Sequence, residues 1–319
     1  MNVYWDLEQL PEEPLEPILT MGNLDGVHRG HQVIVSHLMQ EASRVGAPSM
    51  VITFEPHTRR VVRPDPAFRT VMTTREKLRR LAEFGVEHVL VLPFKDGFAE
   101  MSPLEFVEEV IWEPLRARSV FVGPDAGFGK GREGDVRFLS SEGRRLGFHV
   151  GVIAPLVVEG HRISSSLVRR AIEDGQLDRA NRLLGRDHHL SGTVMRGFRR
   201  GRELGYPTAN LADEGLVLPP LGVYAGWALT DDGERYGTVV NIGNRPTFQG
   251  TSLSIEAHLF NFDGNLYGRE LRIALRQRLR GEVSFEHPEA LKAQIAKDAV
   301  EARKLLGVKK AVPVAKSPR

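Results

Sequence analysis

The stretch PILTMGNLDGVHRGHQVIVSHLM, residues 17–39, decides the fold. It opens on a short apolar run, Ile18–Met21, crosses a polar loop, and enters a helix-period pattern from His31 onward. A strand feeding a glycine loop and then an amphipathic helix is the first half of a βαβ unit. The loop, Gly22–Gln32, packs three glycines, Asp25 and the histidines His28 and His31 into a span too polar for a core. Histidines three positions apart suit a metal, a proton transfer or an anion.

Outward from that stretch the rhythm repeats. The apolar runs MVITF, HVLVLPF, SVFVG and FHVGVIAPL alternate with the helical patterns TTREKLRRLAEFG, SPLEFVEEVIWEPLR and DVRFLSSEGRRLG. Such alternation predicts an α/β domain, a Rossmann-like parallel sheet, closed by SSLVRRAIEDGQLDRANRLLG near Gly185. From Ser191 the pattern changes to short β segments: SGTVMRGF, GVYAGWALT, RYGTVVNIG, SIEAHLFNF and ELRIALRQRL. Asp232-Gly233 and Asp263-Gly264 supply turns, so an antiparallel barrel or sandwich is expected, ending in the helix PEALKAQIAKDAVEARKLL. The expected domains are 1–185 and 191–308, with a linker around Arg186–Leu190 and a basic flexible tail over 309–319.

Composition bounds the class. At 319 residues two domains are the default, and 41% hydrophobic residues can fill a core in each. The absence of cysteine excludes disulfides and thiolate metal sites and fits a cytoplasmic protein. The acidic, proline-rich start MNVYWDLEQLPEEPLEP is no signal peptide, and no run is long enough to span a bilayer. A formal charge of +2 gives no case for nucleic acid.

In an open parallel sheet, ligands bind beyond the carboxyl ends of the strands. Four unusual segments fall there: GNLDGVHRGH, Glu55–His57, GPDAGFGKGREGD and Ile163–Ser166. One shared site explains them better than four unrelated loops. His28 and His31 stand at the start of a predicted helix, where N–H groups and the macrodipole favour anions. Gly30 is expected to keep the space between the imidazoles open for a phosphate. A zinc site would need a third ligand such as His37 or His57, and no HExxH pattern occurs. A lone histidine here would more often cap a loop. Gly129, Gly131 and Gly134 match GxGxxG but lack a clear acidic ribose ligand about 20 residues on, and there is no P-loop.

In the second half, Gly197, Gly201 and Gly205 recur among Arg196, Arg199, Arg200 and Arg202. Such a loop can wrap phosphates, although an arginine cluster alone is more often a solvated face. Pro207 stiffens the segment presenting Thr208 and Asn210, two hard oxygen donors of the kind Mg²⁺ takes beside phosphate and water. Alternation along SIEAHLF puts Ile255, Ala257 and Leu259 on one face and Glu256 with His258 on the other.

HRGH resembles the HxGH motif of the nucleotidyltransferase superfamily. The ordered set GNLDGVHRGHQ, TFEPH, GPDAGFGKGREGD and ISSSLVRRAI resembles the adenylyltransferase half of bacterial bifunctional riboflavin kinase/FAD synthetases. GRELGYPTANL, GVYAG, NIGNRPTF, SIEAHLFNFDGNLYGREL and LKAQIAKD resemble their riboflavin kinase module, a Greek-key β-barrel with a C-terminal helix. The resemblance implies phosphorylation of riboflavin to FMN and adenylylation of FMN to FAD, with ATP and Mg²⁺ and without nucleic acid or membrane partners. It implies His28 and His31 as catalytic hydrogen-bond donors to the ATP phosphates, and ATP/FMN contacts from Gly22, Asn23, Asp25, Gly30, His57, Asp125, Phe128, Gly129, Ser164, Ser165, Ser166 and Arg169. In the kinase half it implies Glu256 as base, Thr208 and Asn210 as metal ligands, and Gly201, Arg202, Gly205, Pro207 and Asn241 around ATP and riboflavin. The chain departs from the family pattern at Leu24 and Ala126, where Phe is usual, at Ser166 for Thr, and at Asn261 and Asn265 for Asp.

Overall fold

The computed structural model describes residues 1–196, 201, 205–247 and 250–309. Of the basic tail, only Lys309 is among them. Two compact units emerge, one of Met1–Arg169 with Leu183–Gly185, the other of Arg170–Arg182 with the chain from Arg186 on. The stretch Arg170–Arg182 groups with the second unit because Leu177 is buried in that unit's core.

Through the first unit the elements run β1 (Asn2–Tyr4), β2 (Ile18–Met21), α1 (Arg29–Val45), β3 (Ser49–Glu55), α2 (Thr58–Val62), α3 (Thr74–Glu83), β4 (His88–Pro93) and α4 (Asp96–Ala99). They continue with α5 (Pro103–Glu105), which runs into a π-helical stretch Phe106–Trp112, then β5 (Ser119–Val122), α6 (Val136–Leu146) and β6 (His149–Val152). A two-stranded β7 (Val157–Val158) and β8 (His161–Arg162) precede α7 (Ser165–Glu173) and α8 (Leu177–Leu184).

Six strands form one sheet in the order β1-β4-β3-β2-β5-β6, every pairing parallel. The strand period of two divides its side chains between two cores. Leu19, Met50, Ile52, Leu90, Leu92, Val120 and Val122 join Phe106, Val107, Val110, Ile111 and Leu139 on one face. Ile18, Val51, Val89 and Val91 join Val35, Leu38 and Leu81 on the other. Burial on both faces is why the strands read as continuous apolar runs. The chain works outward from β2 through β3 and β4, then returns to β5 on the opposite side of β2. That reversal is the sheet's switch point, and the β2–α1 loop leaves from it. The sixth strand, β1, lies in the acidic N-terminal stretch that the sequence left without an element, paired to β4.

The second unit holds β9 (His189–Met195), β10 (Ala209–Leu211), β11 (Gly222–Thr230), β12 (Arg235–Thr247), β13 (Gly250–Leu259), β14 (Glu270–Arg280) and α9 (Pro288–Leu306). They close into an antiparallel barrel, β10-β13-β12-β11-β14-β9, with β9 paired to β10. Three hairpin-linked strands, β11 to β13, are followed by β14 returning beside β11, which is the Greek-key order. Alternate residues such as Leu190, Tyr224, Val240, Ile255, Ala257, Ile273 and Leu275 fill the interior. The C-terminal helix covers the outside, where Ala299 and Ala302 pack with Ala225 and Phe260, and Arg280 pairs with Asp298 at 2.7 Å.

Candidate functional sites

The helix α1 begins with a histidine as its cap. His28 has extended backbone, and its Nδ1 accepts the His31 N–H at 3.3 Å. A nitrogen that accepts carries no proton, so neutral His28 is protonated on Nε2. The two rings stack at 3.6 Å between centroids, 15° from parallel. A Cβ on Gly30 would lie 3.2 Å from the His28 ring, so this glycine makes room for the imidazole itself. One imidazole nitrogen of His28 thus closes the helix, as a loop-capping histidine would. His31 is partly exposed, but its Nδ1 is buried and has no hydrogen-bond partner. Burial first, then His28 and Lys77, hold its proton affinity well below that of an ordinary imidazole.

Several residues of this loop serve the loop. Asp25 is buried, paired with Arg169 at 2.8 Å, and accepts the Val71 N–H at 2.8 Å. Burial raises its carboxyl above the usual range, while Arg169, the Val71 N–H and Lys77 pull toward the ionised form. Arg169 also donates to the Arg69 carbonyl at 2.8 Å and covers the Phe68 ring at 4.7 Å. The Ser165 hydroxyl donates to the Asp25 carbonyl at 2.8 Å, Ser164 Oγ accepts the Leu167 N–H at 3.2 Å, and both Ser164 and Ser166 are exposed. Gly22 donates to the Ile52 carbonyl, and the Asn23 amide is closed on Thr58, giving to its Oγ1 at 2.8 Å and taking its N–H at 3.1 Å.

His57 caps α2 through Nδ1 and leans on Phe68 at 4.9 Å. Burial, followed by Lys77, Arg169, Arg60 and Arg59, pushes its pKa down to about 3. The first unit thus brings Gly22, Asn23, Asp25, His28, Gly30, His31, His57, Ser164, Ser165 and Arg169 around one loop. Asp125 joins from the exposed β5–α6 loop by an ion pair with Arg162, three residues before Ser165. Phe128 does not line this space with an open face. It is buried with Phe106 and Phe138, and Gly129 lies against the Pro103 backbone. Ala126 packs on the margin of the same core.

In the barrel, the sequence motif folds around β10. Glu256 stands in register with Asn210 of β10 on one side and Asn241 of β12 on the other. The flanking Ile255 and Ala257 are core residues, so the Asn210–Glu256–Asn241 row faces outward from the barrel. His258 Nδ1–H donates to the Pro207 carbonyl at 2.9 Å, and its ring meets Tyr206 edge-on at 5.4 Å, fixing the segment that carries Thr208. A Cβ on Gly201 would come within 2.4 Å of the Tyr206 carbonyl and 3.2 Å of Thr208 Oγ1, which only glycine permits. Gly205 adopts φ +85°. Arg202 lies outside the described residues, as do Gly197, Arg199 and Arg200. Asn261 takes the left-handed φ of 60° and hydrogen-bonds to the Lys309 carbonyl, and Asn265 accepts the Tyr267 N–H in a turn. Both are turn residues.

Sequence reading missed Lys77, Thr53, Thr58, Phe68 and Arg162. Thr53 stands in TFEPH without a role assigned to it there, the other four belong to no quoted motif, and each meets a partner distant in sequence.

A parallel sheet with an HxGH loop at its switch point, carried on one chain with a Greek-key barrel, places the protein among two-unit nucleotide-dependent transferases. Residues 10–167 match the profile of the FAD synthetase family and residues 184–306 that of the riboflavin kinase family. The bifunctional riboflavin kinase/FMN adenylyltransferase of Escherichia coli (strain K12) is 39% identical over 305 residues, 96% of this chain and 97% of its own. That of Pseudomonas fluorescens is 38% identical over 306 residues, 96% and 98% of the two chains. A solved structure described as a macrolide-efflux protein from Streptococcus pneumoniae shares the fold at a TM-score of 0.81, with 27% identity over 94% of this chain and 98% of its own. The chain belongs to the bifunctional riboflavin kinase/FMN adenylyltransferase family.

Proposed function

We propose that the barrel unit transfers the γ-phosphoryl group of ATP to the terminal ribityl hydroxyl of riboflavin, giving FMN and ADP. The α/β unit then transfers AMP from a second ATP to the FMN phosphate, giving FAD and pyrophosphate. The observation that carries this reading is the outward row Asn210–Glu256–Asn241 beside Thr208. A neutral hydroxyl needs a proton acceptor as it attacks, and Glu256 is the carboxylate of that row. The FMN phosphate is already an anion, so its site needs charge stabilisation in place of a base. The N-terminus of α1 with His28 and His31 suits that demand.

Thr208 and Asn210 offer neutral oxygens that fit Mg²⁺, which takes few protein ligands and completes its shell with phosphate and water. Among the described residues no group of three or more His, Cys, Asp or Glu could hold a metal. Bound there, the ion would offset phosphate charge, while Glu256 takes the proton and the Pro207–Asn210 segment orients the nucleotide. A chain without cysteine suits an enzyme of the cytoplasm.

Incubation of the pure protein with riboflavin, ATP and Mg²⁺, followed by chromatography of the flavins, tests the reading. FMN appears first and FAD follows. Unchanged riboflavin, or FMN that never becomes FAD when supplied in excess, removes the corresponding half.

A further inference from the structure

Lys77 of α3 is only 5% exposed. Its Nζ donates to Thr53 Oγ1 of β3 at 2.9 Å, and that hydroxyl donates onward to the Asn23 carbonyl at 3.3 Å. One turn earlier on the same helix, the Thr74 hydroxyl donates to Glu55. Positions 74 and 77 share a helix face and positions 53 and 55 share a strand face, so two bonds seat α3 on the end of β3. Through Asn23 the brace reaches Thr58, the residue after His57.

A brace alone does not call for a charge. Burying an ammonium costs free energy unless a carboxylate meets it. Among the described residues none lies within salt-bridge distance of Nζ: Asp25 is held by Arg169, and Glu55 by Thr74. Thr53 is its hydrogen-bond partner, although an ammonium has three donors. Burial lowers the Lys77 pKa to about 8 against the opposing pull of Asp25 and Glu55, so it is mainly a cation at neutral pH. An under-compensated buried charge is a local cost of the kind that collects at functional sites.

We propose that Lys77 is a positioning residue for adenylyl transfer: its buried ammonium braces the β2–α1 loop through Thr53 and Asn23, and supplies the fixed positive charge around which the His31 and His57 imidazoles are arranged. The inference rests on the first unit being the adenylyltransferase. An incoming triphosphate would draw protons onto nearby imidazoles. The Lys77 charge opposes that, so both rings stay neutral and keep fixed donor and acceptor atoms. The other charged or titratable groups acting on these rings are His28 on His31, and Arg59 and Arg60 of α2 with Arg169 of α7 on His57, while Asp25 of the β2–α1 loop and Glu55 of β3 act on Lys77. Only Lys77 couples to both His31 and His57 from α3.

Lys77→Met keeps the bulk and removes the charge. FAD formation from supplied FMN is expected to fall about 10- to 100-fold in kcat, with KM for ATP within about threefold, the pattern of lost transition-state support. Riboflavin phosphorylation and the far-ultraviolet spectrum stay as in wild type, and the melting temperature does not fall. Histidine Cε1–H titrations, read by NMR without substrate, move to higher pH for His31 and His57, and the acid limb of kcat moves the same way. Lys77→Arg restores part of the rate, and Thr53→Val loses part of it. Wild-type kcat with unmoved titrations in Lys77→Met overturns the proposal. So does parallel loss of stability, kcat and KM with unmoved titrations. Should Lys77→Met fail to fold, full activity in Thr53→Val overturns it. A wild-type protein that makes no FAD would instead refute the adenylyltransferase reading, while the titrations would still judge Lys77.

Discussion

Glu256 shows how much one side chain can be asked to do. It is partly buried on β13, level with Asn210 and Asn241. Glu256→Gln keeps the shape and the hydrogen bonds but cannot accept a proton. Kinase turnover is expected to fall roughly 10²–10⁴-fold, the range for loss of a general base, while adenylylation of supplied FMN is nearly unchanged. Two reactions on the one variant decide it, and FMN formation at the wild-type rate would take Glu256 out of the mechanism. The orientation of this residue was legible because SIEAHLF alternates cleanly. Its neighbours were not, because Asn210 and Asn241 become adjacent only through strand register. Asn23 and Asp25 show the opposite case. Both sit in the motif, yet their side chains are occupied by Thr58 and by Arg169, the latter 144 positions away. The resemblance implied ATP/FMN contacts for both, and the partners that hold their side chains could not be read from the motif.

At the level of elements, the Asp25–Arg169 pair ties the β2–α1 loop to α7. Breaking a buried pair by removing one partner strands the other charge, at a cost of about 3–5 kcal/mol. Asp25→Ala is therefore expected to lower the unfolding free energy of the first unit by that amount, read from its urea unfolding curve, while kinase activity persists, and an unchanged curve would show that Arg169 finds another partner. The long elements were readable from hydrophobic period alone, since both faces of the sheet and the barrel interior are built from apolar runs. Short ones were not. β1 has three residues and borrows its order from β4, and β10 has three and lies inside a motif that reads as a loop. In α3 not only Leu81 is buried but Glu76 and Lys77 too. Their partners lie on β3 and within the helix, beyond what periodicity records.

For the whole molecule, the two halves invite a complementation experiment. His28→Ala is expected to lose adenylyl transfer about a hundredfold or more, the scale of a lost charge-stabilising donor, and to keep making FMN. Mixed with Glu256→Gln, which still consumes FMN, it should produce FAD from riboflavin and ATP. Accumulation of FMN without FAD in the mixture would show that FMN does not pass between chains. The barrel closes β9 onto β10, so every one of its strands has neighbours on both sides. The parallel sheet stops at β1 and β6, of three and four residues. Unpaired strand margins are where one chain recruits another into aggregates, and brevity is among the ways proteins blunt them. Of the two large sheets among the described residues, the parallel one ends in such margins, and they are short enough to offer a stray strand a poor template.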